Sequence, residues 1–331
     1  MKIIFTPLIA GKPWNGRTLT DEPLGGSESA VGFLARALAL RGHEIIVYTH
    51  HQEQGFYDGV EYRNVYWLRD LHKDFCDVHI SSRWPDILST MPPDRVGQRI
   101  LWVHDLGNQV LQGDKIVFLS QYHIGQYPIE GEAAKRCFVI GNGVNLGDFL
   151  NFVPLEKREP GKMLWTSNPD RGLHVAARIL QELRHAKRWP ELTLHIFGRA
   201  AVYGWGQEAE APFYPRAEDQ EGVVVHEPVS KTELAQVLKT AWCLFYPTTW
   251  PETFCIATLE AQAAGTPVIA APYGALTETV KGGILSYDFE GAIEQLHDPA
   301  VWNRLSNVGR KYAAQCDWLT RAQQWEEMIN A

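Results

Sequence analysis

Two glutamates, Glu252 and Glu260, stand eight residues apart in the run Pro251-Glu252-Thr253-Phe254-Cys255-Ile256-Ala257-Thr258-Leu259-Glu260. The run follows an apolar stretch, Leu244–Tyr246, that reads as a strand, and a helical pattern opens near Phe254 and continues to Ala264. In open α/β sheets, ligands gather outside the carboxyl ends of the strands. The first turn of a helix at such a place aims free N–H groups and the positive end of its dipole at an anion. Glutamates beside it accept hydrogen bonds from hydroxyl groups. The same spacing also fits two solvated helix residues, so its meaning depends on the surrounding run.

Other residues fall at similar points. Thr166-Ser167-Asn168-Pro169-Asp170-Arg171-Gly172-Leu173 reads as a strand-to-helix turn, where Arg171 offers a fork of N–H donors to phosphate oxygens and Ser167 a hydroxyl. Gly25-Gly26-Ser27-Glu28 opens the first helix and lets backbone approach an anion closely. No Gly-x-Gly-x-x-Gly follows the first strand, so a nicotinamide reading has no support. His104-Asp105 ends the apolar run Ile100–Val103, and Arg83-Trp84 follows the run Val78–Ser81. The loop Lys12-Pro13-Trp14-Asn15-Gly16-Arg17 lies between the first strand and first helix. Phe197-Gly198-Arg199 and His226-Glu227-Pro228-Val229 each end a strand pattern. His50-His51 lacks the converging carboxylates of a metal site, and no Asp-x-Asp occurs in the chain.

These positions belong to a repeating α/β pattern. Residues 2–6 read as a buried strand, and Ala30, Phe33, Leu34, Ala37 and Leu38 form the stripe of a helix that Gly42 stops. Glu44–Tyr48 is the next strand, completing a βαβ unit with parallel strands. Val78–Ile80, Ile100–Val103, Ile116–Leu119 and Phe138–Ile140 are further strands, and Gly141-Asn142-Gly143 is a turn. Residues 150–161 read as a linker. The pattern restarts with strand Met163–Thr166, helix Leu173–Arg188, and strands Leu192–Phe197 and Val223–His226. Ser230-Lys231-Thr232-Glu233 is a capping box for a helix through Thr240. Strand Val268–Ala271 follows, and helices close the chain, the last over about Leu319–Ile329 with Trp325 and Met328 on its apolar side. The fold class is α/β, with two doubly wound, Rossmann-like parallel-sheet domains.

With these residues in view, the chain resembles glycosyltransferase family 4, which has the GT-B fold of two such domains facing across a cleft. Glu252 and Glu260 match its E-x7-E motif, and Leu259-Glu260-Ala261 and Ala264-Gly265-Thr266-Pro267-Val268-Ile269-Ala270 continue as in the family. Gly25-Gly26-Ser27-Glu28, Leu34-Ala35-Arg36-Ala37-Leu38 and Arg41-Gly42-His43-Glu44 are similar to its Gly-Gly loop, first helix and second strand. Ile140-Gly141-Asn142-Gly143-Val144-Asn145 resembles the turn that ends its first domain, and Gly282-Gly283-Ile284-Leu285 a further turn.

The resemblance implies a retaining transferase that takes a sugar from a nucleoside diphosphate donor. Residues 1–150 would form the acceptor-side domain, 151–312 the nucleotide-sugar domain, and 313–331 a terminal helix crossing back to the first domain. Glu252 would bind donor-sugar hydroxyls, Glu260 the ribose, and backbone N–H groups of Thr253, Phe254, Cys255 and Ile256 the sugar or diphosphate. Arg171 would hold the diphosphate, with Gly26, Ser27 and Ser167 beside it. Ser167 departs from a basic residue of the family, so it donates a hydroxyl or the second positive charge comes from elsewhere. His104 would approach the sugar near C6; with Glu252 and Arg171 it completes the expected catalytic set. Gly198 and Val229 belong to loops that meet the base. Trp14, Arg83 and Trp84 are the acceptor-side candidates. No cofactor or metal is expected.

Composition narrows the partners. The net charge is −8, and neither half of the chain carries more Lys and Arg than Asp and Glu, which excludes the basic stripe that nucleic acid requires. Five cysteines, odd in number and without a Cys-x-x-Cys pair, read as reduced thiols of a cytoplasmic protein. Ile3-Ile4-Phe5 is too short for a signal-peptide core, and no run has membrane-spanning length. The expected partners are a UDP or GDP sugar and a hydroxyl acceptor, which is a small molecule, a glycan or a lipid-linked species met peripherally at a membrane. A GT-B nucleotide-sugar 2-epimerase and a non-catalytic nucleotide-sugar-binding protein are the alternatives.

Overall fold

The computed structural model describes residues 1–8, 11–107, 110–186, 188–198 and 221–331. It divides into two compact units, residues 1–143 with 318–331, and residues 144–317. The chain passes from one unit to the other after residues 143 and 317, where the sequence pattern set boundaries at 150 and 312.

The first unit holds an eight-stranded sheet of order β3-β4-β2-β1-β5-β6-β7-β8. Its strands are β1 (Lys2–Pro7), β2 (Glu44–Thr49), β3 (Gly55–Tyr57), β4 (Val60–Asn64), β5 (Cys76–Ser82), β6 (Val96–Trp102), β7 (Lys115–Phe118) and β8 (Cys137–Val139). All pairings are parallel except β3 with β4, a hairpin turned at Asp58-Gly59, both in the left-handed region. Ile3 and Ile4 pair with Ile45 and Ile46 on one side, and Ile3 with Val78 on the other. These runs are apolar without alternation because both faces of the sheet are covered.

The helix Gly26–Leu40 lies against this sheet and against the terminal helix Trp318–Asn330. Trp318 stacks on Phe33, Trp325 meets Trp102 edge-on at 5.0 Å, and Glu326 takes hydrogen bonds from Arg41 and His43. Gly143 is required beside this helix, since a Cβ there would lie 2.5 Å from the Trp318 ring. Residues 313 and 314 end the preceding helix, Pro299–Ala314, so the terminal helix proper begins at Trp318.

The second unit holds a six-stranded parallel sheet, order β11-β10-β9-β12-β13-β14. Its strands are β9 (Lys162–Trp165), β10 (Thr193–Ile196), β11 (Val223–Val225), β12 (Cys243–Tyr246), β13 (Val268–Ala270) and β14 (Gly283–Leu285). The order reverses at β9, whose neighbours are β10 and β12, so the ends of β9 and β12 form the switch point where ligands of such sheets bind. The helix Leu173–His185 stops short of Arg188, and the helix after β12 opens at Ile256 instead of Phe254. Cys255 sits at φ 69°, which breaks helical geometry at that residue. The segment Gly283–Leu285, read as a turn, is the edge strand β14.

The stretch 150–161, polar and proline-containing, is tied to the second unit through Arg158. Its guanidinium is almost fully buried and donates to the carbonyls of Val153, Leu238, Ala241 and Ala264 and to the Thr266 hydroxyl. Leu238, Ala241 and Ala264 lie at the carboxyl ends of two helices, where carbonyls lack helical partners and the dipole is negative. Trp302 packs against the guanidinium at 4.8 Å. Burial pushes this group down to about 10, with Arg310 nearby adding to the shift.

Two predictions follow from this packing. Replacing Arg158 with Met strands several buried carbonyls, each costing about 1–3 kcal/mol, so urea unfolding should show a loss of about 3 kcal/mol or more. Arg158→Lys should recover only a minor part of it, because an ammonium cannot reproduce the fork. The second concerns His79, fully buried and hydrogen-bonded to Thr6 at 2.9 Å, whose imidazole is pushed down to about 3 by burial and then by Arg99. The unfolded chain takes up this proton near pH 6.5, whereas the native state refuses it until about pH 3. Its stabilising contribution is therefore complete above pH 6.5 and declines as pH falls towards 3. Urea titrations between pH 6.5 and 5 should give falling stability in the wild type and a shallower slope in His79→Gln.

Candidate functional site

In the second unit, the turn after β9 and the loop after β12 are fastened together. Gly172, at φ 116°, lets them touch, since a Cβ there would sit 3.0 Å from the Thr249 nitrogen. The Arg171 carbonyl accepts from the Thr249 N–H at 3.1 Å and the Thr248 hydroxyl at 2.7 Å. Thr248 Oγ1 in turn accepts from the Trp250 N–H. This clamp brings the Arg171 guanidinium to Glu252, with Nη1 2.7 and 2.8 Å from the two carboxylate oxygens. The Tyr246 hydroxyl donates to Glu252 Oε1 at 2.5 Å. The Glu252 side chain is 3% exposed and that of Arg171 30%, so the carboxylate is sunk and the guanidinium stands over it. The Trp250 ring lies beside the guanidinium, 5.6 Å from ring centre to Cζ.

A buried anion raises the energy of further negative charge nearby. Burial, then Glu252, pushes the Tyr246 phenol well above its ordinary value, and it stays a donor. Asp170 is raised by burial and by Glu252 against the lowering effect of Arg171. The loop after β13 closes on the same place: the Ala275 N–H donates to the Glu252 carbonyl, and Gly274 at φ 62° leaves room for the Glu252 backbone.

Glu260 lies further along the helix Ile256–Ala263 and is nearly buried. Lys231 Nζ donates to its Oε1 at 2.7 Å. In the sequence Lys231 stands out only as the first residue after a capped helix start. That cap is present, with Ser230 and Glu233 bonding reciprocally, and it is what aims the lysine. The other residues of this loop are disposed differently from one another. Phe254 and Cys255 are buried, and burial pushes the Cys255 thiol up, with Glu252 adding to the shift. The Phe254 carbonyl accepts from Thr279, and Thr253 and Ile256 are half-buried.

Ser167 and Gly198 meet through backbone. The Trp165 indole donates to the Ser167 carbonyl at 2.8 Å, and a Cβ on Gly198 would fall 1.7 Å from that oxygen. No side chain fits at Gly198, which holds the ends of β9 and β10 in contact. Beyond them Phe197 stacks on His226, 4.3 Å between centroids and 4° apart in plane, and His226 bonds His195 at 2.9 Å. Val229 is half-buried in the following loop, and Arg199 lies outside the described residues.

In the first unit, Ser27, Arg83 and Asp105 converge at the ends of β5 and β6. Arg83, at φ 67°, donates to Asp105 at 2.6 Å and to Ser27 Oγ at 3.1 Å, with Glu28 at 3.9 Å. A non-glycine residue held at positive φ is a feature concentrated at working sites. Gly26 begins the helix and Ser27 also donates to Glu28. His104 is buried against Trp102 at 4.6 Å, and burial, then Arg83 and His123, holds its imidazole well below the ordinary value, so it is neutral. The next carbonyl, of Asp105, is fixed by Tyr127 at 2.8 Å and by His123 Nε2 at 3.0 Å. Because His123 Nδ1 accepts from the Leu119 N–H, its Nε2 carries the proton.

Two acceptor-side expectations require different treatment. Trp14 is 2% exposed and packs edge-on against Tyr62, so it is a core residue and cannot present its ring to an acceptor. Its loop folds inward because Asn15 is also buried and bonds His51 and the Glu53 carbonyl. Trp84 is half-buried next to Arg83, with its carbonyl held by Ser81. Among the described residues no three His, Cys, Asp or Glu side chains converge as metal ligands, and no helix is long and apolar enough to cross a membrane.

The chain is similar to known proteins in sequence and in fold. Residues 161–300 match the family model described as Glycosyl transferases group 1. The D-inositol 3-phosphate glycosyltransferase of Frankia alni is 31% identical over 188 residues, 56% of this chain and 40% of that protein. The Streptomyces scabiei enzyme of the same name is 38% identical over 78 residues, 24% and 16% respectively. The matched parts thus span less than half the length of these curated relatives. Sucrose-phosphate synthase from Thermosynechococcus elongatus superposes with a TM-score of 0.78 at 17% identity, covering 100% of this chain and 98% of that one. Anabaena Alr3699/HepE in complex with UDP-glucose gives 0.72 at 16% identity, covering 100% and 99%. The chain therefore has the GT-B fold, and its stretch 161–300 is similar to the group 1 glycosyl transferases.

Proposed function

We propose that this chain is a retaining, metal-independent glycosyltransferase that moves a sugar from a nucleoside diphosphate donor to an acceptor hydroxyl. The observation that carries the reading is the buried Glu252 carboxylate, capped by Arg171 and Tyr246 at the switch point of the second sheet. A carboxylate so fixed accepts hydroxyl protons in a set direction, and a guanidinium above it offers donors to phosphate. In this reading residues 144–317 hold the donor. Glu252 takes sugar hydroxyls, Arg171 and Ser167 take the diphosphate, and the backbone of Thr253 to Ile256 lines the phosphate side. Glu260, held by Lys231, takes the ribose diol. Gly198 and Val229 border the base.

The first unit is the acceptor-side domain in this proposal, with Gly26 and Ser27 on the phosphate side, Arg83 and Trp84 towards the acceptor, and neutral His104 as a ligand of the donor sugar. The donors around the departing diphosphate become stronger partners as charge develops there, which lowers the barrier. The acceptor proton passes to the leaving phosphate, retention following from the family resemblance. Uridine is the favoured base, supported by the UDP-glucose complex of the Anabaena protein. A cytoplasmic site of action agrees with five cysteines that contain no Cys-x-x-Cys pair, four of them buried.

Calorimetry and thermal shift with UDP, GDP, ADP and TDP test the donor class. One diphosphate should bind with an affinity unchanged by EDTA, and Glu260→Ala should weaken it; no binding by any of the four would remove the reading. Lys231→Met should weaken the same nucleotide by about tenfold or more, the worth of a lost charge-assisted hydrogen bond acting through Glu260. Arg171→Gln should lower kcat/KM for transfer by about 10²–10³-fold, the usual cost of removing a donor to developing charge.

A further inference from the structure

In the second unit one conspicuous group has no part in the roles described so far, the Trp250 ring. It is 43% exposed, although it lies two residues from a carboxylate that is almost wholly buried. Its backbone is not loose. The Trp250 N–H is held by Thr248 Oγ1 at 3.0 Å, and Thr248 and Thr249 are both held by the Arg171 carbonyl. Trp250 is therefore a large apolar ring on a backbone fixed by hydrogen bonds, with the Arg171 guanidinium over the ring at 5.6 Å. A second half-exposed ring, Tyr273 at 39%, stands in the loop after β13, next to Gly274, where that loop presses on the Glu252 backbone. The two rings thus come from the Glu252 loop itself and from the loop that packs on its backbone, at the carboxyl ends of adjacent strands.

We infer that Trp250 is a stacking platform for the pyranose ring of the donor and a determinant of sugar specificity. An aromatic face carries negative charge density, so it attracts the polarised C–H groups that line one face of a pyranose. The hydroxyls at the edge of such a sugar need acceptors in a fixed direction, which Glu252 provides. An apolar face over a ring and a hydroxyl edge on a carboxylate is the arrangement that a hexose satisfies and that a bare diphosphate does not. The inference rests on the proposed function, because it supposes that the ligand at Glu252 is the sugar of a nucleoside diphosphate donor.

The competing role for Trp250 is to steady Arg171 alone, and the two roles separate by ligand. The test is calorimetric titration of UDP, GDP, UDP-glucose and GDP-glucose into the wild type, Trp250→Ala and Trp250→Phe. For the nucleotide that the wild type binds, Trp250→Ala should weaken the sugar-bearing form about tenfold relative to the free diphosphate, in line with the energy of one aromatic contact. Trp250→Phe should restore most of that ratio. The retained diphosphate binding shows that the variant is folded. Equal weakening of diphosphate and sugar-diphosphate would overturn the platform in favour of support for Arg171, and an unchanged ratio would overturn it as well. Failure of the wild type to bind any of these four ligands, and ADP and TDP as well, would instead remove the donor reading itself, and the platform with it.

Discussion

A carboxylate removed from water must be paid for with partners, and Glu252 obtains them from two elements that the parallel pairing of β9 with β12 brings side by side. Arg171 comes from the turn after β9 and Tyr246 from the end of β12. For the guanidinium to arrive, the two loops must lie in contact, and that contact needs Gly172 and the Thr248 and Thr249 bonds to the Arg171 carbonyl. Breaking such a pair from one side leaves a buried charge uncompensated, at about 3–5 kcal/mol. The switch point of the sheet is thus held shut around one ionic contact, and the Trp250 ring and the loop after β13 take their places from it. The second carboxylate is handled separately: Glu260 has Lys231, supplied by a helix that the capping box starts at the correct residue.

Much of this architecture was readable from residue order. The apolar runs of the parallel strands, the helix stripe ending at Gly42 and the capping box at Ser230 express local rules that the fold leaves intact. The Asp58-Gly59 hairpin was equally readable, because that dipeptide marks a tight β-turn, but its strands are short and half polar and were passed over. Edge strand β14 was hidden by its glycines. Gly282 and Gly283 look like a turn, yet they serve close packing: a Cβ on Gly282 would strike Gly309 of the helix Pro299–Ala314.

The site residues divide along the same line. Glu252, Glu260 and Arg171 stand out by spacing and by position at strand ends. That Arg171 and Glu252 are partners could not be read, since they are 81 positions apart and meet only through the parallel pairing of β9 with β12. Lys231 was missed because its signal was already spent on the helix cap. Trp14 was misplaced for the opposite reason: in a Gly/Pro-rich loop a tryptophan suggests a surface ring, whereas Asn15 and its bonds to the 51–53 segment draw the loop inward.

The left-handed Cys255 has one more consequence. Its thiol is buried, disfavoured as thiolate, and set at the junction between the Glu252 loop and the helix that follows. A thiol-directed reagent reaches it only when that loop opens, so its labelling rate is the product of the intrinsic thiolate reactivity and the opening equilibrium. The protein carries in this residue a native chemical clock for the local stability of the Glu252 loop, readable without introducing a cysteine.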